Sequence, residues 1–265
     1  MLYIDKPKFY DAYRKQFGAL KESTVATLEA IIDVFNQNSS LERDTEKKAY
    51  MLATVRHECG PEMEPITENM NYTSASRIAQ VWPSRFSVAS AQEYVRNPEK
   101  LGNSVYANRL GNGNAASGDG YRYRGRGIGA QFTGRVNYEK FSKLFNVDLI
   151  NHPELALDLN LGAKILYKGC IEGLFTGVGL GNYINASGVD YKNARRVVNA
   201  DVGLNGNRIA AEAKKFEKIL QSSLTSIHTI SVDTEKKPVA TTITANDIWE
   251  GLKGLVVNWS KSKEK

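Results

Sequence analysis

The sequence predicts a mainly α protein of two lobes with a cleft between them, and two observations carry that expectation. Apolar residues recur at three- and four-residue steps through most of the first 220 positions, the spacing of one helix face. The pattern breaks between residues 102 and 134, where Gly and Asn crowd out aliphatic residues. An irregular stretch of that length inside a compact chain is usually functional.

The elements follow in order. Phe9, Tyr10, Tyr13 and Phe17 make one helical face behind Asp5 and Pro7, a capping residue and a proline at a helix start. Val25, Leu28, Ile31, Ile32 and Phe35 make a second face behind Ser23. In the third, residues 44–59, Met51, Leu52, Val55 and Cys59 fall in step with Lys47, Lys48 and Arg56 between them; Asp44 offers a cap and Gly60-Pro61 a stop. Short helical pieces are expected around 75–82 and 89–96. After the irregular stretch, periodicity returns at 138–145, at 155–174 with Ala163, Leu166, Cys170 and Leu174 in step, and at 208–220. No internal repeat is present.

Composition frames the chemistry. With 265 residues, 42% hydrophobic and 24% charged, the chain is an ordinary soluble globular protein with room for one large or two small domains. No apolar run approaches membrane-spanning length, and Met1-Leu2-Tyr3-Ile4-Asp5-Lys6 lacks the basic start and apolar stretch of a secretory signal, so the expected location is the cytoplasm. Cys59 and Cys170 make no disulfide framework and read as buried thiols. A net charge of +6 and a pI near 9.1 favour a polyanionic partner, whether nucleic acid, an anionic cell wall or a membrane surface.

The most informative stretch runs from His57-Glu58-Cys59-Gly60-Pro61 to Glu68-Asn69. Glu58 falls in the last turn of the third helix, where the negative end of the helix dipole favours a protonated carboxyl, as a general acid requires. Glu68 lies beyond the Gly-Pro break among Thr67, Asn69, Asn71 and Tyr72, where ionisation is easier. Two carboxyls in contrasting environments are the acid and base pair of glycoside hydrolysis. Their bland alternative is a pair of solvated surface acids. His57 has no second His four residues on, which excludes the zinc-protease pattern.

The irregular stretch makes the chemistry specific. Tyr106-Ala107-Asn108-Arg109-Leu110-Gly111-Asn112-Gly113, Gly118-Asp119-Gly120-Tyr121-Arg122-Tyr123-Arg124-Gly125-Arg126-Gly127 and Gln131-Phe132-Thr133-Gly134-Arg135-Val136-Asn137-Tyr138 together resemble glycoside hydrolase family 19, which contains plant-type chitinases and lysozyme-like phage endolysins. The resemblance extends upstream through Ala49-Tyr50-Met51-Leu52-Ala53-Thr54 and downstream through Val197-Val198-Asn199 to Gly203 and Arg208. It covers about residues 5–220 in the right order.

That resemblance implies a lysozyme-like helical enzyme with an inverting mechanism and no metal or organic cofactor. It assigns Glu58 as general acid, Glu68 as the base that activates water, and Thr133 as a residue that helps hold that water. Tyr72 is a stacking candidate for a sugar face, and Gln131, Asn137 and Asn199 match residues lining the substrate cleft, with Tyr123 and Arg126 at its edge. Inversion implies carboxyls roughly 6.5–9.5 Å apart, with room for water between them. Two departures stand out. Ile128-Gly129-Ala130 is one residue longer than the family's usual pair, and Glu62 and Glu64 compete with Glu68 for the base. Bland readings stand beside each assignment: Thr133 as a helix cap, Gln131 and Asn137 as partners of buried backbone, Tyr123 and the other aromatics as core, and Arg122, Arg124, Arg126 and Arg135 as a solvated basic face.

The expected substrate is bacterial peptidoglycan, cleaved between N-acetylmuramic acid and N-acetylglucosamine by a monomer without nucleic-acid partners. The 106–111 run points to a phage endolysin that waits in the host cytoplasm and reaches the wall through holin-made lesions. A bacterial chitinase, a toxin-type muramidase and an inactive wall-binding module are the alternatives. The catalytic domain is expected over 1–222, with 223–265 a linker plus a basic amphipathic segment: Ile248, Trp249, Leu252, Leu255, Val256 and Trp259 recur at helical spacing beside Lys253, Lys261, Lys263 and Lys265. Such a segment can lie on an anionic membrane or dock as a terminal helix.

Overall fold

Asp5 accepts a hydrogen bond from Lys8 N at 3.0 Å, and Pro7 stands in the first turn that follows. The first helix therefore starts where its cap signal lies. The computed structural model describes residues 2–38 and 42–226. In chain order these form β1 (Leu2–Ile4), α1 (Lys6–Phe17), α2 (Glu22–Gln37), α3 (Asp44–Cys59), β2 (Ile66–Thr67), α4 (Ala75–Val81), α5 (Val88–Ala91), α6 (Pro98–Val105), α7 (Asp119–Arg122), β3 (Arg126–Gly127), α8 (Arg135–Phe145), α9 (Leu159–Glu172), β4 (Ile184–Asn185), β5 (Gly188–Val189), α10 (Asn207–Ser223) and β6 (Leu224–Ser226). The fold is mainly helical.

Three local expectations are corrected. α2 begins at Glu22 behind Lys21, which makes no side-chain cap, so Ser23 lies inside the first turn rather than at the cap, its carbonyl accepting from Thr27 Oγ1. Asp44 is the first residue of α3 rather than its cap; Arg43 precedes it in a left-handed conformation, and the Asp44 carboxylate meets Lys48 Nζ at 2.6 Å. The 155–174 periodicity covers two elements, a 3-10 turn Pro153–Leu157 and then α9, capped by Asp158 through Leu161 N at 2.8 Å. α6 is an addition that runs into the start of the irregular stretch: Asn97 caps it through Lys100 N at 3.1 Å and Pro98 opens it.

α3 is buried on every side from Lys47 to Val55, which makes it the central helix. α1, α2, α9 and α10 surround it, their apolar faces meeting at Phe9, Leu28, Ile32, Leu166, Ile209 and Phe216. A second cluster, including Tyr123, Phe132, Tyr138 and Phe141, lies under α8 and α9. The short helices α4, α5 and α6 enclose a separate core of Met70, Ile78, Phe86, Leu101 and Val105, the smaller lobe. Between them runs the antiparallel ribbon of β2 and β3, with Ile66 opposite Gly127 and Thr67 opposite Arg126.

β6 returns antiparallel to β1, pairing Leu224 with Ile4 and Ser226 with Leu2. The rest of the expected linker and the basic amphipathic segment, 227–265, lie outside the described residues. No helix among the described residues is long and apolar enough to cross a membrane. Deleting 224–265 is expected to lower the melting temperature below that of a protein deleted only from 227, because it removes the partner of β1. Equal melting temperatures for the two truncations would show that the pair adds nothing.

Candidate active site

Glu58 is set by the end of α3. The helix carries it one residue short of Cys59, and Gly60, at φ 78°, then turns the chain away. Its Oε1 accepts from Arg195 Nη1 at 2.5 Å. Arg195 is 1% exposed and projects from the 3-10 turn Asn193–Val197. Its other edge is gripped by Asp201, Nε to Oδ1 at 2.5 Å and Nη2 to Oδ2 at 3.2 Å, and Asn205 Nδ2 donates to the same Oδ2 at 2.5 Å. Asp201 leads into a π-type turn, Val202–Gly206, that opens α10; such turns concentrate at functional sites.

Electrostatics bind this line together. Burial works against the charge of Arg195, but the hydrogen bond to Asp201 and the charge of Glu58 outweigh it and hold its pKa above the ordinary value. The Arg195 hydrogen bond in turn holds the Asp201 carboxyl below the usual aspartate range. Sequence reasoning supplied Glu58 with a helix end alone; the fold adds a guanidinium of opposite sign. His57 takes no part in it. Its Nδ1 accepts from Arg208 Nε at 3.1 Å, and burial together with Arg208 pushes its pKa below the ordinary value.

Glu68 is set by the ribbon. Its backbone N donates to Gly125 O at 2.7 Å, while its Oε1 accepts from Tyr106 OH at 2.7 Å and its Oε2 from Gly125 N at 3.2 Å. Burial and the Glu68 charge push the Tyr106 phenol above its ordinary pKa, so it remains a donor. Burial and the same carboxylate do likewise for Tyr72, which packs edge-on against Trp82 with ring centroids 5.4 Å apart. A methyl placed on Gly125 would stand 3.1 Å from Gln131 Oε1, 3.2 Å from Thr133 Oγ1 and 3.4 Å from Glu68 Cβ. Gly125 is thus the point at which Glu68, Gln131 and Thr133 converge. Of the competing acids, Glu62 is tied to Lys21 Nζ at 2.7 Å and Glu64 is exposed.

The Ile128-Gly129-Ala130 stretch forms a tight turn, with Ala130 N donating to Ile128 O at 2.8 Å. Gly129, at φ 72°, leaves no room for a side chain, since a Cβ would meet Val55 Cγ2 at 2.7 Å; its N–H donates to Cys59 Sγ at 3.2 Å, and Ile128 is buried against Gly162. The turn therefore clips the ribbon to the helix that bears Glu58. Burial pushes the Cys59 thiol up to about 11 and that of Cys170 to about 12, which leaves both unreactive near neutrality.

Beside the convergence point is a cavity of about 170 Å³ bounded by Leu110, Gln131, Phe132, Thr133, Asn137 and Val198. A larger hollow of about 370 Å³, among Tyr94, Asn97, Lys100 and Ser104, contains none of these residues. Among the described residues no group of three or more His, Cys, Asp or Glu side chains is gathered to hold a metal ion.

No family model matches the chain. A Haemophilus influenzae protein named as a glycosyl hydrolase family 19 domain-containing protein is 40% identical to it over 129 residues, 48% of this chain and 62% of that protein. The chain is similar to glycoside hydrolase family 19. It spans less than two thirds of that relative's length. Among solved structures, chitinase C from Streptomyces griseus HUT6037 is 16% identical with a TM-score of 0.47, covering 82% of this chain and 92% of that one. A bacterial family 19 chitinase is 17% identical with a TM-score of 0.42, covering 83% and 94%.

The residues carried over from family 19 divide into groups. Glu68, Gln131 and Thr133 meet at Gly125, and Asn137 joins them by donating from Nδ2 to Thr133 O at 2.7 Å. Thr133 does not cap α8, because Gly134 holds that position. Asn199 is exposed at the end of the turn that bears Arg195, its N–H bonded to Arg195 O at 2.9 Å. Tyr123 and Arg126 are supports beneath the surface. Tyr123 is 2% exposed, with its hydroxyl on Ile150 O, and the Arg126 guanidinium donates to Arg122 O and Tyr138 OH, each at 2.8 Å. The other arginines are also engaged: Arg122 donates to Ile150 O and Asn151 O, Arg124 lies 3.9 Å over the Tyr121 ring, and Arg135 pairs with Glu139.

Arg195, Asp201 and Tyr106 were missed as site residues. Tyr106 opens the Tyr106–Gly113 run, but nothing in the sequence tells that its hydroxyl meets Glu68. Phenylalanine at position 106 is expected to lower turnover about tenfold with little change in KM, since a hydrogen bond to a charged group contributes about 1.5–3 kcal/mol. Undiminished turnover in Tyr106→Phe would remove Tyr106 from the machinery.

Proposed function

We propose that this chain is a glycoside hydrolase that cleaves a β-1,4-linked, N-acetylated cell-wall polysaccharide with inversion. In this reading Glu58 donates a proton to the leaving oxygen, and Glu68 draws a proton from a water steadied by Thr133, which attacks the anomeric carbon from the opposite face. The observation that carries the reading is that two carboxyls are held on separate elements: Glu58 at the end of the central helix, against a buried arginine of the 193–197 turn, and Glu68 just after the ribbon, held by a tyrosine and a backbone N–H. The similarity to a family 19 domain over 129 residues supports it.

Peptidoglycan is the proposed substrate, with the chain acting as an endolysin, made in a host cytoplasm and released through holin lesions to lyse the cell. The 106–111 run and the basic charge favour this narrower form. Purified peptidoglycan and colloidal chitin, digested in parallel, test it through mass analysis of the new reducing ends. Muramic acid at those ends is expected; products from chitin alone would make the enzyme a chitinase. Proton NMR in the first minutes should show the α-anomer, and initial β-anomer would sink the inverting mechanism.

A further inference from the structure

The 108–113 loop holds a leucine that the fold alone does not explain. Leu110 is 44% exposed, yet its backbone lies in the left-handed region at φ 53°. Its neighbours Asn108, at 56°, and Gly111, at 77°, share that conformation, but Asn and Gly tolerate it and a bulky side chain does not. The conformation is imposed from several sides. Asn112 Nδ2 donates to Tyr106 O at 3.1 Å and its Oδ1 accepts from Arg135 N at 2.9 Å, while Leu110 O accepts from Val136 N at 3.1 Å. Gly134 leaves space for Leu110, since a Cβ there would sit 2.2 Å from Leu110 Cβ. An Asn at position 110 would satisfy the same backbone with less strain. Strain retained under such constraint collects at functional sites.

The side chain forms a wall of the 170 Å³ cavity. Phe132 and Val198 continue that wall, and Gln131, Thr133 and Asn137 supply amide and hydroxyl groups to the same space. A cavity lined by apolar residues together with amide- and hydroxyl-bearing ones suits an acetamido group, a methyl joined to a carbonyl acceptor and an N–H donor. We propose that Leu110 is a specificity-determining residue, the surface on which the methyl of a substrate 2-acetamido group packs. The assignment rests on the reading above that the substrate is an N-acetylated glycan.

The test uses Glu58→Gln protein, which should bind without cleaving, titrated calorimetrically with a β-1,4-linked N-acetylglucosamine tetramer and with its fully de-N-acetylated counterpart. Adding Leu110→Asn should weaken binding of the acetylated tetramer about five- to tenfold, the scale of one or two lost apolar contacts. Binding of the deacetylated tetramer should not change, and the melting temperature should hold or rise. Leu110→Met, which keeps the apolar reach, should restore affinity to within about twofold of leucine. Unchanged affinity in Leu110→Asn overturns the proposal, as does an equal loss for both tetramers accompanied by a lower melting temperature, which would make Leu110 structural. If the parent protein binds neither tetramer and wild type cleaves no acetylated glycan, the functional reading falls and the proposal with it. If wild type cleaves and Leu110→Asn is neutral, only the proposal falls.

Discussion

Replacing Glu58 with glutamine is expected to reduce glycan cleavage by about 10²- to 10⁴-fold, the usual contribution of a positioned general acid or base. Glutamine keeps an oxygen able to accept from Arg195, so the melting temperature should stay within a few degrees of wild type. What it lacks is a proton to give the leaving oxygen. Cleavage assayed with denaturation of the same preparation separates the two effects. A variant that keeps more than about a tenth of wild-type activity would remove Glu58 from the acid role.

The second large effect belongs to Arg195→Met. Its side chain is 2% exposed and contacts two carboxylates, each about a fifth exposed. Removing one partner from a buried ionic group leaves charge uncompensated, which costs about 3–5 kcal/mol where all members are buried. The partial exposure of Glu58 and Asp201 places this case at about 3 kcal/mol, a fall of roughly 6–12 °C in melting temperature for a protein of this size. Activity should fall with it, because Glu58 loses its orienting contact. The pH dependence has a definite sign. The pKa of Asp201 is depressed in the folded state, so its pairing stabilises at pH above the unfolded aspartate value of about 3.9 and is lost as pH falls through the lower folded value. Wild type should therefore lose more stability between pH 7 and pH 3 than Arg195→Met does. Parallel acid titrations, or a melting temperature within about 2 °C of wild type, would show that the buried guanidinium is not a structural tie.

These two residues also mark what the sequence could reveal. Glu58 was legible because helix period, Gly60-Pro61 stop and neighbouring motif all lie within one short stretch. Arg195 was not, because in sequence it is half of a dibasic pair, 137 residues from its partner, and only the folded chain buries it while Arg196 stays exposed. The same division runs through the fold. α1 and α10 declare themselves by one apolar face, whereas α3 is surrounded, so its spacing of Met51, Leu52, Val55 and Cys59 conveyed only part of its burial. α6 was hidden because Asn97-Pro98, a good start signal, leads into Gly102 and Asn103, which read as loop. Tyr123 and Arg126 were recognised by motif, and motif does not distinguish a residue that touches substrate from one that supports its neighbours.

The two carboxyls are anchored in parts of the molecule with different mechanical standing. Glu58 rides a sixteen-residue helix at the centre of the largest core, and Glu68 follows a two-residue strand paired to another of equal length. Amides of the central helix should exchange with solvent deuterium only through global opening, whereas those of the ribbon should exchange through local fluctuations of much lower free energy. Under the roles proposed above, substitutions in the ribbon and the loops it touches should therefore change the setting of Glu68 while leaving that of Glu58 unperturbed. On the proposed glycan-cleaving role, the half of the site open to adjustment is thus already separated from the half that must be preserved.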